Sequence, residues 1–309
     1  MAHYLVTGGC GFIGSHLCEA LLARGDRVRI LDDLSTGTLA NKPAAAELVE
    51  GDVADPAAVA EALAGTDGCF HLAAIASVEQ GNRDWLGTHR CNLTGTITVF
   101  EAAREAGEGR QVPVVYASSA AVYGDNPDIP LTEDSVPRPL SAYGADKRGC
   151  ELHARVATDV HGVPTVGLRF FNVYGPRQDP TSLYSGVISI FADRLRTGRP
   201  IAIFGDGGQT RDFVYVGDAV AALMAAMRVL PQGSPVFNVC TGRATSVLEI
   251  AHTIAALCGV TATIDFQAPR AGDTRVSVGD PARAAAVLGL RAATDLHDGL
   301  ARTLGSPAS

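Results

Sequence analysis

The run Thr7-Gly8-Gly9-Cys10-Gly11-Phe12-Ile13-Gly14 constrains this chain more than any other feature. The apolar residues Tyr4-Leu5-Val6 precede it, and Ile13, Leu17 and Leu21 follow at helical spacing as far as Gly25. The glycines therefore mark a turn from strand to helix. In that setting Gly8 permits the tight turn, Gly11 lets backbone approach a pyrophosphate, and Gly14 lets helix and strand pack closely. The helix N-terminus then offers free N–H groups and a positive dipole to phosphate.

The same alternation runs through the first half. Val28 to Leu31, Glu47 to Val49, Cys69 to Leu72, Val112 to Ala117 and Thr165 to Phe171 read as strands. Trp85 to Ala106 and Tyr143 to Val160 read as long helices. Parallel strands need crossover connections, so this pattern predicts an α/β fold of Rossmann type, a doubly wound parallel sheet with helices on both faces. After Gly175 the segments shorten, punctuated by Gly198, Pro200, Gly205, Gly207 and Gly208. The expected division is a dinucleotide domain of residues 1–175 plus about 211–240, and a smaller interleaved α/β lobe of about 176–210 plus 241–309.

Composition limits the partners. A formal charge of −8 supplies no basic face for displacing the counterions of nucleic acid or for docking on anionic membranes. No apolar stretch is long enough to span a bilayer, and no basic leader precedes the first strand, which gives a cytoplasmic expectation. Cys10, Cys18, Cys69, Cys91, Cys150, Cys240 and Cys258 lack metal-type spacing and read as small buried hydrophobes; no metal is expected. His71 reads as a core or loop histidine, Trp85 as core or interface, and Arg194, Arg196 and Arg199 as a solvated helix end.

Two acids, three hydroxyl groups and one lysine carry the chemistry. Asp32 ends the second strand, where a carboxylate takes adenosine ribose hydroxyls and repels a 2′-phosphate, so NAD is expected over NADP. Asp52 follows the third strand, placed to meet the adenine or simply to cap its loop. Tyr143 and Lys147 stand at i and i+4 on one helix face, and an ammonium beside a phenol stabilises the phenolate as a base. Ser118 and Ser119 close a strand at its carboxyl end, where open α/β sheets place ligands.

With these motifs the chain resembles the extended short-chain dehydrogenase/reductase family, and within it the UDP-hexose 4-epimerases. The resemblance rests on Thr7 to Gly14, Leu31 to Ser35, Gly51-Asp52-Val53, His71 to Ala74, Ser118 to Gly124, Tyr143 to Lys147, Leu168 to Arg177 and Gly205 to Tyr215. It implies that Ser119 and Tyr143 meet the sugar O4, and that Lys147 holds the nicotinamide ribose. It assigns to NAD the glycine turn with Phe12 and Ile13, then Asp32, Asp33, Leu34, Ser35, Thr36 and Gly37. Asp52, Val53, Leu72, Ala73, Ala74, Asn92, Ala117 and Phe170 complete that set. For the UDP-sugar it implies Ala76, Asn172, Gly186, Val187, Ile203 and Phe204, with Arg211, Arg270 and Asp273 clamping the diphosphate and Ser277 gating space beside C2.

The implied reaction has no net redox: a 4-keto sugar forms, turns over and is reduced on its other face. Small residues at Ala76, Gly186 and Ser277 imply room for an N-acetyl group, favouring UDP-GlcNAc/UDP-GalNAc, with UDP-Glc/UDP-Gal also possible. Sister dehydratases need an Asp-Glu pair where this chain has Ala120 and Ala121. Epimerisation of UDP-glucuronic acid is the runner-up, although that group carries threonine at the position of Asn172. A catalytically idle NAD-binding regulator would be expected to have lost Ser119, Tyr143 or Lys147, and all three are present. The helices Trp85–Ala106 and Tyr143–Val160 resemble a dimer-forming pair, so a homodimer is expected.

Overall fold

The computed structural model describes residues 1–76, 78–106, 111–179, 186–269 and 274–305. Strands β1 (His3–Thr7), β2 (Arg27–Asp32), β3 (Glu47–Glu50), β4 (Gly68–His71), β5 (Val114–Ser119) and β6 (Thr165–Phe170) form most of one sheet. β7 (Asn172–Tyr174), β8 (Ile201–Phe204), β9 (Thr210–Arg211) and β10 (Phe213–Tyr215) lie outside it. β11 (Val236–Val239) returns to its edge beside β6. β12 (Thr245–Ser246), β13 (Ile264–Gln267) and β14 (Val276–Ser277) complete the strands.

The order across the main sheet is β11-β6-β5-β4-β1-β2-β3, and every pairing in it is parallel. The chain winds outward from β1 to β3 and then crosses to β4 on the other side of β1. That reversal opens a crevice at the carboxyl ends of β1 and β4, the place where doubly wound sheets hold ligands.

The helices are α1 (Phe12–Ala23), α2 (Pro56–Leu63), α3 (Val78–Arg83), α4 (Trp85–His89), α5 (Gly95–Glu105), α6 (Ala142–Asp159), α7 (Val187–Arg196), α8 (Val216–Val229), α9 (Val247–Cys258), α10 (Ala282–Leu288) and α11 (Leu296–Thr303). Successive residues of β1 serve opposite faces, as the period of two requires. Val6 packs with Leu17 and Leu21 of α1 and Leu223 of α8, while Leu5 packs with Val59 of α2, Val99 of α5 and Ala154 of α6. A strand buried on both faces reads as a continuous apolar run, which is why Tyr4-Leu5-Val6 shows no alternation. Ile188 and Phe191 of α7 join Ile250 and Ile254 of α9 in a separate core under the smaller sheets.

The long helix expected over Trp85–Ala106 is not continuous. Arg90–Thr94 forms a π-helical turn between α4 and α5. One extra residue per turn is accommodated there, and such bulges gather at functional sites. Trp85 is not in the core, being 69% exposed. The cysteines Cys10, Cys18, Cys69, Cys150 and Cys240 are buried, Cys91 and Cys258 are partly so, and all seven are free thiols. Among the described residues no helix is long and apolar enough to cross a membrane.

Candidate active site

A cavity of about 640 Å³ opens at the carboxyl ends of β1, β4, β5 and β6. Its floor is the glycine turn. Gly8 holds φ +71, and a Cβ on Gly14 would lie 2.1 Å from the Gly8 carbonyl oxygen, so neither position accepts a side chain without moving backbone. Gly8, Gly11, Phe12, Ile13 and Gly14 all line the cavity. The N-terminus of α1 points its unpaired N–H groups there, as a pyrophosphate requires.

Asp32 stands at the far wall, almost fully buried. Its Oδ2 accepts from Cys10 N and its Oδ1 from Leu34 N, both at 2.9 Å. Burial raises its pKa, and those two backbone bonds oppose the rise. Asp33, Ser35 and Thr36 line the same end, with Thr38 and Asn41, which sequence reasoning missed. Gly37 and Leu34 do not line it. Gly37 instead packs so closely on Asp32 that a Cβ would sit 2.9 Å from Oδ1. Asp52 is also absent from the lining: it pairs with Arg90 and caps Ala54 N at 2.7 Å, while its neighbours Gly51 and Val53 face the cavity. The loop-capping reading of Asp52 is the one its contacts match. The cleft fits a dinucleotide: a glycine cradle, a helix N-terminus and a carboxylate stand in the needed sequence.

The loop after β4 supplies Leu72, Ala73, Ala74 and Ala76 to the lining. Buried hydroxyls fix its start. Leu72 N and Ala73 N both donate to Thr7 Oγ1 at 3.1 Å, and Thr7 passes its proton to His71 Nδ1 at 2.8 Å. Thr96 gives its own proton to Asn92 O at 2.6 Å, so it accepts from His71 Nε2 at 2.9 Å. These partners demand a neutral imidazole, and burial together with the Lys147 charge pushes the His71 pKa down to about 3. His71 is thus structural. Asn92, expected in the cofactor lining, stands outside it. Its carboxamide accepts from Ile75 N at 2.8 Å and donates to Ile75 O at 3.1 Å, fully buried within the π turn.

Ser119 and Tyr143 face the cavity together with Ala117 and Phe170. Ser141 caps α6 by accepting from Gly144 N at 3.1 Å, which sets Tyr143 in the first turn. Lys147 lies one turn on and is buried behind the wall rather than in it. Its Nζ donates to Ala117 O at 2.8 Å and lies 5.9 Å from the centre of the Tyr143 ring.

One further turn along the same face stands Glu151, which the sequence reading missed. It accepts from Ser118 Oγ at 2.7 Å and forms a two-pronged buried ion pair with Arg169 of β6 at 2.7 and 2.8 Å. Tyr143, Lys147 and Glu151 share one helical face at four-residue spacing, so Glu151 locks the register of α6 against β5 and β6. It is a positioning residue. Arg169 extends the brace to Tyr123 Oη at 2.9 Å, and Tyr123 donates to Asn238 Oδ1 at 2.6 Å.

At the end expected to hold the sugar the cavity is lined by Asn172, Ala76 and Gly186 and by the unforeseen Phe171, Gln178 and Asp179, with the equally unforeseen Arg177 lying against α1. The remaining expected sugar-nucleotide residues stand elsewhere in the smaller lobe. Arg211 of β9 sits in register with Ser277 of β14 and Thr245 of β12, outside the lining of this cavity. Ile203 is a core residue, 1% exposed, because Ile201 and Ile203 of β8 alternate inward while Ala202 and Phe204 face out. Val187 packs against the same core. Arg270 and Asp273 lie outside the described residues.

The fold and cleft define an enzyme of the Rossmann type that works on a bound nicotinamide dinucleotide. Residues 4–240 match the model of the NAD dependent epimerase/dehydratase family, and the chain belongs to that family. It is 40% identical to a UDP-glucose 4-epimerase of Mycolicibacterium smegmatis, over 97% of this chain and 96% of that protein. The structure of a UDP-N-acetylglucosamine 4-epimerase from Methanobrevibacter ruminantium, in complex with UDP-N-acetylmuramic acid, superposes with a TM-score of 0.92 at 32% identity, covering 98% and 97% of the two chains. A Thermus thermophilus UDP-glucose 4-epimerase in complex with NAD gives 0.90 at 36% identity, covering 98% of each chain. The likeness to UDP-hexose 4-epimerases read from the motifs is borne out, and the chain is an NAD-dependent enzyme.

Proposed function

We propose that this enzyme is an isomerase that interconverts the C4 epimers of a UDP-sugar. The observation that carries the reading is the meeting of Ser119 and Tyr143 in the cavity floored by the glycine turn, with Lys147 buried behind them. Tyr143 takes the proton from the sugar O4 and later returns it. Ser119 holds O4 by a hydrogen bond, and Lys147 favours the phenolate of Tyr143 through its charge. NAD, when bound, supplies the acceptor and donor of the C4 hydride. Ala120 and Ala121 offer no acid or base for C5 and C6, which supports epimerisation over dehydration.

The sugar end favours the N-acetylated pair UDP-GlcNAc/UDP-GalNAc, with UDP-Glc/UDP-Gal also accepted. Ala76 and Gly186, both small, line the end of the cavity that this reading gives to the sugar, which supports room for a C2 substituent. A uronic acid is the runner-up, since the enzymes that take one carry threonine where Asn172 lines the cavity here. Arg211, which stands outside the lining of this cavity, is proposed for the diphosphate on the family resemblance alone. We further propose a homodimer through α4, α5 and α6, which would cover the exposed Leu86, Ile97, Leu152 and Val156 together with Trp85.

The test is an assay of the purified protein against a panel of UDP-sugars with no added reductant, reading both epimers by chromatography. Conversion of UDP-GlcNAc to its C4 epimer is the expected result. Turnover of UDP-Glc with no conversion of UDP-GlcNAc would refute the substrate assignment. Steady accumulation of NADH would refute the redox-neutral cycle.

A further inference from the structure

The dinucleotide cleft is poor in positive charge. Asp32 and Asp33 stand at the end proposed for the adenosine, so a pyrophosphate beside them adds like charge. The α1 N-terminus offsets this with about half a positive charge. Among the described lining residues only Arg177 carries a cation.

The position of Arg177 is set by α1. Its Nη1 donates to Ser15 Oγ at 3.0 Å and its Nη2 to Glu19 Oε2 at 2.5 Å. His16 Nε2 donates to the carbonyl of the preceding Pro176 at 3.0 Å. Ser15 belongs to the first turn of α1, its N–H bonded to Gly11 O at 3.1 Å, so the guanidinium lies beside the turn that faces phosphate. Arg177 also holds φ +68, a left-handed backbone that a residue with a Cβ adopts only when its surroundings impose it. The chain then runs on into Gln178 and Asp179 of the sugar wall.

We infer that Arg177 is a cofactor-retention residue: its guanidinium serves the pyrophosphate of the dinucleotide while Ser15 of α1 holds it in place and Glu19 competes for it. This rests on the dinucleotide reading of the cleft and not on which sugar is bound. A guanidinium suits the role because it donates from several N–H groups at once, to an anion and to Ser15 or Glu19 together. The exposed pairing with Glu19 is weak enough to be shared.

The experiment measures NAD released on denaturing the purified protein, and the Kd of NAD for stripped protein by calorimetry, in wild type, Arg177→Gln, Arg177→Lys and Glu19→Gln. Loss of a charge-assisted hydrogen bond should raise the Kd of Arg177→Gln roughly ten- to a hundredfold and flatten its dependence on salt. Arg177→Lys should recover part of the affinity. If Arg177→Gln is unstable, the lysine variant takes its place in the comparison with wild type. Glu19→Gln should bind NAD at least as tightly as wild type, since it frees the guanidinium. The inference is overturned if Arg177→Gln binds NAD within twofold of wild type. It is also overturned if Glu19→Gln loses NAD as Arg177→Gln does, which would make the tie to α1 the active feature. A wild-type protein that neither carries nor binds NAD would instead defeat the cofactor reading, and this inference with it.

Discussion

Replacing Glu151 with glutamine should cost stability and activity together, by amounts the structure fixes. The carboxylate accepts from Ser118 Oγ, Arg169 Nε, Arg169 Nη2 and Arg148 Nη1, all between 2.7 and 2.8 Å. Whichever way a glutamine amide turns, its NH₂ group faces a donor, and Arg169 becomes a buried charge without a counter-ion. Breaking such a pair costs about 3–5 kcal/mol, a large share of a typical margin of about 5–15 kcal/mol. With unfolding entropy near 2.1 cal/mol/K per residue, each kcal/mol is worth about 1.5 °C in a chain of 309 residues. The melting temperature should therefore fall by about 5–8 °C if unfolding is two-state. Burial raises the Glu151 pKa, but the bonds and charge of Arg169, with Ser118 and Arg148, outweigh it and hold the carboxyl below its usual value. A depressed carboxylate stabilises the fold above its unfolded pKa, and that contribution is lost as pH falls through the folded pKa. Calorimetric melting from neutral pH into acid should show the wild-type curve falling and the Glu151→Gln curve flatter. Ser118→Ala, which removes one tether at about 1 kcal/mol and leaves the ion pair, should lower kcat more than it raises KM. A Glu151→Gln protein that melts within a degree of wild type, or with the same acid-side slope, would refute the reasoning.

Tyr143→Phe should reduce turnover by ~10²–10⁴-fold with UDP binding retained, and near-normal epimerisation would overturn the base assignment. Ser119→Ala should be milder, since it removes a hydrogen bond and not the base. Asp32→Ala removes the acceptor for Cys10 N and Leu34 N as well as the ribose carboxylate, so the preference for NAD over NADP should narrow in competition binding. Equal affinity of the wild type for both cofactors would contradict that account. Gly186→Leu places a side chain where even a Cβ lies 3.3 Å from Gln178 Nε2, so it should suppress turnover of the N-acetylated sugars and spare UDP-Glc. Equal loss on both substrates would show that the wall does not discriminate.

The parallel sheet and the glycine turn were legible because their signals are local and repeated. An apolar run, a glycine at a crowded backbone and a following helix each point the same way. The placing of Ser119 and Tyr143 at one cavity, with Lys147 behind them, was legible for the same reason, their spacing being fixed inside one strand end and one helix. Glu151 and Arg169 were not, although Tyr143, Lys147 and Glu151 repeat every four residues, because a buried ion pair joins positions 18 residues apart with no local mark. Ile203 was misplaced by strand parity: a two-residue period decides which side chains face a ligand, and β8 is too short to show its phase. The pairings of β9 with β12 and β14 span two residues each, below any pattern that periodicity detects.

Irregular backbone gathers where the cavity needs atoms that regular elements cannot supply. The helix from Trp85 reads as unbroken because apolar spacing tolerates one extra residue, yet the π turn is what lets Asn92 reach Ile75 with its side chain and Thr96 with its carbonyl. Leu34 takes φ 57 directly after the Asp32-Asp33 pair, and its N–H then reaches Asp32 Oδ1. Left-handed conformations cost a residue with a Cβ about 1–3 kcal/mol, so each must be over-determined by its neighbours. At Leu34 the restraint comes from the Asp32 carboxylate, proposed to face the ribose, and at Arg177 from Ser15 of α1, the helix proposed to face the pyrophosphate. The backbone is thus bent by the same groups that are proposed to hold the cofactor, and on that reading substitutions that relax either bend should act first on cofactor affinity and only then on the fold.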